Sequence, residues 1–193
     1  MHNLIRTFTP EKKADLERIL DIDSVIDYYI YITLLQAIDC YMKNYLFVTQ
    51  DGVKWHISPY DLDTTFGNHW QGDEYYYSKY NNFSNFAAAS ELFNIIYTYY
   101  KDELISRYRS RRGWHWSEES IFHEFYNFSV NIPKIYFDEE VKIWKSLPGT
   151  NTNTLAEIIE HYRLRCMVLD KELIPSTSGG GTAVQFITWE ADD

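Results

Sequence analysis

The sequence predicts a mainly helical α+β domain with one small β-hairpin. Hydrophobic residues make up 45% of the 193 residues, which is enough to build the core of one domain. Most apolar residues recur with helical spacing, whereas residues 45–58 form two short runs rich in β-branched and aromatic side chains. One strand-like region among helical segments is typical of this fold class.

Helices are predicted on both sides of the hairpin. Thr9 followed by Pro10 favours a helix start, and the helix is expected to reach about Leu20. Ser24 and Asp27 resemble a capping box for a second, longer helix that brings Asp39 close to its C-terminal end. Further helices are predicted, with caps at Ser90, Ser117 and Thr152, over residues 90–109, 117–131, 133–146 and 152–173.

The hairpin is predicted from the runs YLFVT (45–49) and VKWHIS (53–58), which Gln50, Asp51 and Gly52 join. An Asp-Gly pair between two such runs is a strong hairpin signal. Pro59 ends the second strand, and residues 61–67 form a loop. Residues 68–86 are polar, aromatic and without periodicity, which indicates an irregular surface loop.

The domain is expected to span residues 1–174. After Pro175 the stretch STSGGGTA is rich in Gly and Ser, so residues 175–193 read as a linker-like tail or as the start of a further module.

Charge and composition disfavour several classes of partner. The 18 basic and 28 acidic residues give a formal charge of −10, which argues against nucleic acid. The one basic cluster is interpreted as the solvated end of a helix, with phosphate contact as the alternative; it comprises Arg107, Arg109, Arg111 and Arg112. No segment approaches the roughly 20 apolar residues of a membrane span, and residues 1–13 lack the apolar run of a signal peptide. No membrane insertion is therefore expected, and a secreted protein would need further sequence.

The cysteines and histidines give no metal motif. Cys40 and Cys166 are far apart and are expected to be small core residues. The six histidines show no spacing typical of ligand pairs, so structural roles are expected for them.

Acidic side chains flank the predicted hairpin. Asp39 and Asn44 precede its first strand, and Asp61 and Asp63 follow its second. Because a hairpin brings its outer ends together, these side chains are expected to be neighbours. Such a group repels itself unless hydrogen bonds, protons or a cation intervene. Its hard oxygen donors favour Mg²⁺ or Mn²⁺, which commonly bridge to substrate phosphates.

The order Asp, four residues, Asn, hairpin, Asp is that of the catalytic loop and metal-binding Asp of protein kinases. The run NYLFVTQDGVKWHISPYDLDTTFG, together with DIDSVIDYYI and AIDCYMKN upstream, resembles the CotH kinase family. This is the spore coat protein H type of atypical protein kinase. The resemblance covers roughly residues 15–170 and is most specific over 39–67.

The resemblance implies a fold like the C-terminal lobe of a protein kinase and metal-dependent transfer of phosphate from ATP to protein serine or threonine. It implies that Asp39 accepts or orients the hydroxyl proton. Asn44 and Asp61 would bind the Mg²⁺ or Mn²⁺ that accompanies ATP, with Asp63 as a second candidate ligand. The implied partner is a coat or cell-surface protein, and the implied location is the spore coat, the cell surface or outside the cell. Taken singly, each of these residues is better interpreted as a turn or cap residue, and only their order together favours the site.

The sequence departs from the kinase pattern before Asp39. A kinase also carries an N-terminal lobe with a glycine-rich strand pair and a Lys that pairs with a Glu. The 38 residues before Asp39 read as helices without a glycine-rich loop, and Lys12 and Lys13 lie on the first of them. The nucleotide lobe is therefore expected to be missing or truncated. The chain reads as a partial domain or a degenerate member, with activity expected of the full-length parent.

Three other functions match features of the sequence. Residues 61–65 match the D-x-D-x-T pattern of haloacid-dehalogenase phosphatases, but that pattern should follow an apolar parallel strand. A bare D-x-D also occurs at glycosyltransferase metal sites, with the same objection. The non-catalytic alternative is a surface adhesin or spore-coat assembly module, for which the aromatic loop 68–86 would be the binding face.

Overall fold

The computed structural model describes residues 1–68, 82–143 and 154–174. These residues form nine α-helices, one 3-10 helix (Pro10–Lys12) and one two-stranded antiparallel sheet, which confirms the mainly helical α+β class. The strands are β1 (Tyr45–Val48) and β2 (His56–Pro59). The helices are α1 (His2–Arg6), α2 (Lys13–Ile19), α3 (Ile22–Leu34), α4 (Phe83–Ala89), α5 (Glu91–Tyr99), α6 (Lys101–Arg112), α7 (Glu118–Asn131), α8 (Lys134–Ile143) and α9 (Leu155–Leu173).

The chain begins with short helical segments. The helix predicted to start at Pro10 is confirmed, since the 3-10 helix leads directly into α2 and Leu20 ends it. Pro10 occupies the first helical position, where its missing N–H costs no hydrogen bond. The five-residue helix α1 was not predicted, because so short a segment shows no helical period.

Helix α3 differs from its prediction at both ends. Its N-cap is Asp21, whose carboxylate accepts a hydrogen bond of 2.8 Å from the Ser24 N–H. The predicted Ser24–Asp27 pair is wrong, because Asp27 instead binds Arg107 and Arg111 of α6. The helix ends at Leu34, so it does not carry Asp39, which lies in the turns that follow.

The core surrounds α3, which is buried on most of its circumference. A helix that is apolar on nearly every side is expected at the centre of a domain. Tyr29 stacks on Phe93 of α5 with ring centroids 4.6 Å apart, and its hydroxyl donates to the Phe83 carbonyl of α4. Cys40 and Cys166 are both free and buried, which confirms them as core residues.

The segment predicted as one helix over 90–109 forms α5 and α6. Tyr100 separates them, with φ −129° and ψ 30° outside the helical range, and its hydroxyl donates to Glu17. Helix α4 occupies the end of the segment predicted as a loop over 68–86, so that prediction is wrong from Phe83 onwards. Residues 69–81 of that segment lie outside the described residues.

The basic cluster at the end of α6 is not a solvated helix end. Arg111 donates to Asp27 at 2.9 Å, and Arg112, only 15% exposed, lies 3.4 Å from Asp170 of α9. Of the four arginines, Arg109 alone is exposed, and the other three are partly buried. The cluster therefore joins α6 to α3 and α9 through ion pairs.

The last three helices largely match their predictions. Ser117 caps α7 by accepting from the Ser120 N–H, as expected. The N-cap of α9 is Thr154, two residues later than expected, and it forms a capping box with Glu157. Residues 144–153 and the tail 175–193 lie outside the described residues. In the parts of the chain that are described, each helix is too short or too polar to cross a membrane.

Candidate functional site

The hairpin places Asn44 beside the segment that leads to Asp61. Strand β1 pairs antiparallel with β2, with Tyr45 opposite Pro59 and Val48 opposite His56. Beyond the last pair, the Tyr60 N–H donates to the Asn44 carbonyl at 3.0 Å. The outer ends of the hairpin therefore meet, as predicted.

The other end of the hairpin is looser than predicted. Val53 and Lys54 were expected in the second strand, but their N–H groups both donate to the carboxylate of Asp51 in a turn. Trp55 forms a parallel bridge to Leu20, so β2 begins only at His56. Asp51 therefore has a local structural role, at the end of the hairpin remote from Asn44 and Asp61.

A sharp turn after α3 leads to Asp39. Gln36 adopts a left-handed conformation with φ 55°, and Ala37 N–H donates to the Ile32 carbonyl at 2.9 Å. Gln36 N–H donates to the Thr33 carbonyl at 3.3 Å, which completes a Schellman motif. The chain then passes through Cys40 and Lys43, whose N–H groups bond back to Ala37 and Asp39. Asp39 is thus held on a hydrogen-bonded loop.

The loop that carries Asp61 and Asp63 is attached to the same turn. The Phe66 N–H donates to the Leu35 carbonyl at 2.9 Å. The Phe66 ring packs edge-on against Phe125 of α7, with centroids 5.0 Å apart. Residues 39–44 and 61–66 therefore share one anchor at the end of α3.

Cys40 lies where the two loops meet. Its thiol sulfur is 4.0 Å from the Tyr60 carbonyl oxygen and 3.9 Å from that of Asp61. The Tyr28 hydroxyl donates to the Cys40 carbonyl at 2.6 Å, which connects this loop to α3. The pKa of the Cys40 thiol is raised to about 11, mainly by burial and also by the charges of three nearby carboxylates, those of Asp39, Asp61 and Asp63.

One of these carboxylates, that of Asp39, forms an ion pair with Lys43. Its Nζ lies 2.9 Å from Asp39 Oδ2. The bond to Asp39 raises the pKa of Lys43, and the charges of Asp39, Asp61 and Asp63 act in the same direction. The three carboxylates therefore share one electrostatic environment.

The acidic residues differ in exposure. The Asp39 side chain is only 17% exposed, whereas Asp61 and Asp63 are exposed. Asp39 is thus recessed next to Lys43, and the other two carboxylates are open to solvent. Such an arrangement can present one shielded base and two accessible metal ligands.

Backbone strain is concentrated in these two loops. In the described parts of the chain, the non-glycine residues with positive φ are Gln36, Asn44, Asp61 and Phe66. Asn and Asp tolerate this conformation, but a bulky residue such as Phe rarely adopts it. Each such residue costs on the order of 1 kcal/mol, and strain of this kind is concentrated at functional sites. Side-chain pattern alone gave no sign of it.

The donor set fits a divalent cation that binds together with a substrate. No group of three or more His, Cys, Asp or Glu side chains is arranged for metal binding in the described ranges. The predicted ligands are the carboxamide of Asn44 and the carboxylates of Asp61 and Asp63. Mg²⁺ commonly takes one or two carboxylates and completes its shell with water and substrate phosphates. In the type of donor atom, the three predicted ligands match what such a cation takes.

Thr64 carries an unexplained polar atom in this region. It lies directly after Asp63 and is only 2% exposed. Within the described residues, its Oγ1 is a buried side-chain atom with no hydrogen-bond partner. Buried hydroxyls normally form hydrogen bonds, so burying this one without a partner destabilises the folded protein.

A buried polar group behind the turn was not predicted. His161 and Arg165 lie one helical turn apart on α9 and are 6% and 0% exposed. His161 Nε2 lies 3.0 Å from Gln36 Oε1, and Arg165 Nε donates to the Thr33 carbonyl at 3.0 Å. The sequence signal for burial was that His161 and Arg165 lie at i, i+4 on the same helix face as Leu169. That spacing does not reveal their partners on α3 and in the turn after it.

Comparison with known proteins gave one family match. A family model described as "CotH kinase protein" matches residues 1–169. No curated protein and no solved structure matches the chain.

Proposed function

The chain belongs to the CotH kinase family, and we propose that residues 39–63 form the centre of a metal-dependent phosphoryl transfer from ATP to a protein serine or threonine. The observation that best supports this is the hydrogen bond from Tyr60 to Asn44. It closes the hairpin so that a carboxamide and a carboxylate, both on strained backbone, flank the same end. The order of these groups is that of a kinase catalytic loop and its metal-binding Asp.

Asp39 is assigned the role of base. The hydroxyl oxygen of the substrate attacks the γ-phosphorus, the bond from phosphorus to the β,γ-bridging oxygen breaks, and Asp39 accepts the hydroxyl proton. Its recessed position favours this role, because less water reaches a shielded carboxylate and competes with the substrate hydroxyl for it. Lys43 occupies one Asp39 oxygen, but its side chain is 66% exposed and has room to turn towards the phosphates.

Asn44 and Asp61 are assigned to hold Mg²⁺ or Mn²⁺ together with the phosphates of ATP, with Asp63 as the second candidate ligand. The bound cation would offset negative charge on the phosphates during transfer. The exposure of Asp61 and Asp63 supports these roles, since the nucleotide has to reach them from solvent.

We also propose that the fold resembles the C-terminal lobe of a protein kinase, on the basis of the order of its elements. Helix α3, the Asp39 loop, the hairpin and the Asp61 loop succeed one another as in the C-terminal lobe of a protein kinase. From the family resemblance we propose a coat or cell-surface protein as the substrate, and the spore coat, the cell surface or the outside of the cell as the location.

Labelling with radioactive ATP tests this function. The full-length protein is incubated with labelled ATP, Mn²⁺ and a protein acceptor, and is compared with Asp39→Ala and Asp61→Asn. Both variants are expected to lose at least about 100-fold in rate, as is typical when a base or a metal ligand is removed. Asp51→Asn, at the opposite end of the same hairpin, is the matched control and should keep its activity. Unchanged labelling in both site variants would contradict the assignment.

A protein-binding role is the second candidate. Helices α7 and α8 expose a set of large apolar side chains that includes Phe128, Val130, Ile135, Tyr136 and Ile143. Exposed apolar surface of this kind is typical of interaction sites. An adhesin or coat-assembly module would bind its partner without ATP, so partner binding by the wild-type protein without any labelling of that partner would favour this role.

The phosphatase alternative has less support. The D-x-D-x-T pattern requires a parallel sheet, whereas β2 pairs antiparallel with β1. Strand β2 also ends with Pro59, directly before the loop that carries the pattern.

A further inference from the structure

A buried polar cluster connects α9 to the end of α3. Its members are Thr33, Gln36, His161 and Arg165, each at most 6% exposed. His161 contacts the Gln36 side chain at 3.0 Å, and Arg165 contacts the Thr33 carbonyl at 3.0 Å. Two residues of α9 thus hold the helix end at successive points.

The chemistry of both contacts fixes the direction of donation. The carbonyls of the last helical turn lack intrahelical partners and carry the negative end of the helix dipole, so the guanidinium of Arg165 is a suitable donor to Thr33. Because an amide oxygen only accepts, the Nε2–H of His161 donates to Gln36. Burial and, to a smaller extent, the charge of Arg165 lower the pKa of His161 to about 4, so this imidazole is neutral near pH 7.

The turn held by α9 is the anchor of both acidic loops. Thr33 and Gln36 belong to the Schellman motif that leads into the Asp39 loop. Leu35, between them, accepts the hydrogen bond from Phe66 that attaches the loop of Asp61 and Asp63. A displacement of this turn would therefore move both loops.

We propose that His161 and Arg165 are positioning residues, which set the spacing between Asp39 and the Asp61–Asp63 loop by holding the turn 33–36. The consequence for metal binding and catalysis rests on the proposed function. Stability alone is a poor reason to bury a guanidinium and an imidazole, because apolar residues of similar size are often at least as stabilising. A need to fix the geometry of the turn 33–36 accounts for the burial of both groups.

Three variants and one control separate positioning from stability. His161→Leu fills the space but removes the donor, and His161→Gln restores an amide donor. Gln36→Gly removes the acceptor while placing at φ 55° the residue that best tolerates it, so the helix end itself is not weakened. Leu169→Ala, at a fully buried position of α9 outside the cluster, is the control for general loss of packing.

The first measurement is hydrogen exchange of the Phe66 and Ala37 amides in the 193-residue chain. We expect exchange about tenfold faster in His161→Leu and Gln36→Gly than in the wild type, after correction for global stability, and near wild-type exchange in His161→Gln. This readout requires neither metal nor ATP. Unchanged exchange in His161→Leu and Gln36→Gly, or equal acceleration in Leu169→Ala, would overturn the proposal.

The second measurement is Mn²⁺ affinity in the presence of ATP, by electron paramagnetic resonance with the same variants. We expect a loss of about tenfold in His161→Leu and Gln36→Gly, the size typical for groups that orient metal ligands, and recovery in His161→Gln. If the wild type binds no Mn²⁺ while the exchange results are as expected, the proposed function fails and the positioning of the loops stands. If the wild type binds Mn²⁺ and all variants bind it equally, the positioning role is overturned and the proposed function stands.

Discussion

At the scale of single residues, the site differs from its surroundings in two ways. Several of its residues have positive φ, and the buried Thr64 hydroxyl has no hydrogen-bond partner among the described residues. Asn44 and Asp61 were predictable as residues that flank the hairpin, because their spacing around two strand-like runs is visible in the sequence. Their positive φ was not predictable, and neither was that of Phe66, because tertiary contacts such as the bond from Phe66 to Leu35 impose it. His161 was also not identified as a partner of Gln36, since 125 residues separate them.

Thr64 permits a test of the unpaired hydroxyl. Replacing Thr64 with Val removes a buried group that has no partner among the described residues, so the free energy of unfolding should rise by about 1 kcal/mol in urea titrations. Thr65→Val is the matched control, because the Thr65 hydroxyl donates to the Leu62 carbonyl at 3.0 Å, and it should lower stability by about 1 kcal/mol. Equal destabilisation by both would show that Thr64 has a partner in the folded protein.

His161 predicts a pH dependence of stability. Its pKa is lowered from 6.5 to about 4 in the folded state, first by burial and then by the charge of Arg165. The unfolded chain therefore binds a proton that the folded chain excludes as the pH falls below 6.5. This single group should cost up to about 3 kcal/mol of stability between pH 6.5 and pH 4.

The measurement is urea unfolding at a series of pH values for the wild type and for His161→Gln. The variant lacks the titrating group, so its stability should fall less over this range, while the carboxylates shared by both proteins contribute equally. The same pH slope in both proteins would contradict a buried neutral imidazole.

At the scale of elements, the sequence predicted the presence of most helices and of the hairpin more accurately than their ends. The hairpin signal identified both strands, but Val53 and Lys54 were assigned to β2 because their side chains favour strands, whereas Asp51 draws their N–H groups into a turn. Helix α3 was extended too far because residues 35–38 continue its apolar pattern. A Schellman motif with Gln in place of Gly at the left-handed position gave no stop signal.

The N-cap of α3 gives a test at this scale. Asp21→Ala removes the acceptor for the Ser24 N–H and should lower the free energy of unfolding by about 1 kcal/mol. Asp15→Ala is the control, since its ion pair with Arg18 is exposed, and it should change stability by less than about 0.5 kcal/mol. Equal effects would indicate that Ser24, or another group, caps the helix without Asp21.

At the scale of the whole molecule, α3 connects the hairpin, the site and the surrounding helices. Asp27 of α3 binds Arg107 and Arg111, and Arg112 in turn lies beside Asp170 of α9, so ion pairs link three helices on one side. Composition and hydrophobic spacing sufficed to predict the class of fold. They did not predict these links, because each joins residues that are distant in sequence, and the arginines looked like a solvated helix end when read alone.

The most direct test of the central claim is the location of a bound divalent cation in the 193-residue chain. Mn²⁺ is added in the presence of ATP, and the paramagnetic broadening of assigned amide resonances is measured for the wild type, Asp61→Asn and the control Asp51→Asn. We predict that broadening centres on residues 39–44 and 60–64, that Asp61→Asn weakens Mn²⁺ binding about tenfold or more, and that Asp51→Asn leaves it unchanged. Broadening centred on other carboxylates, or equal binding by all three proteins, would contradict the account.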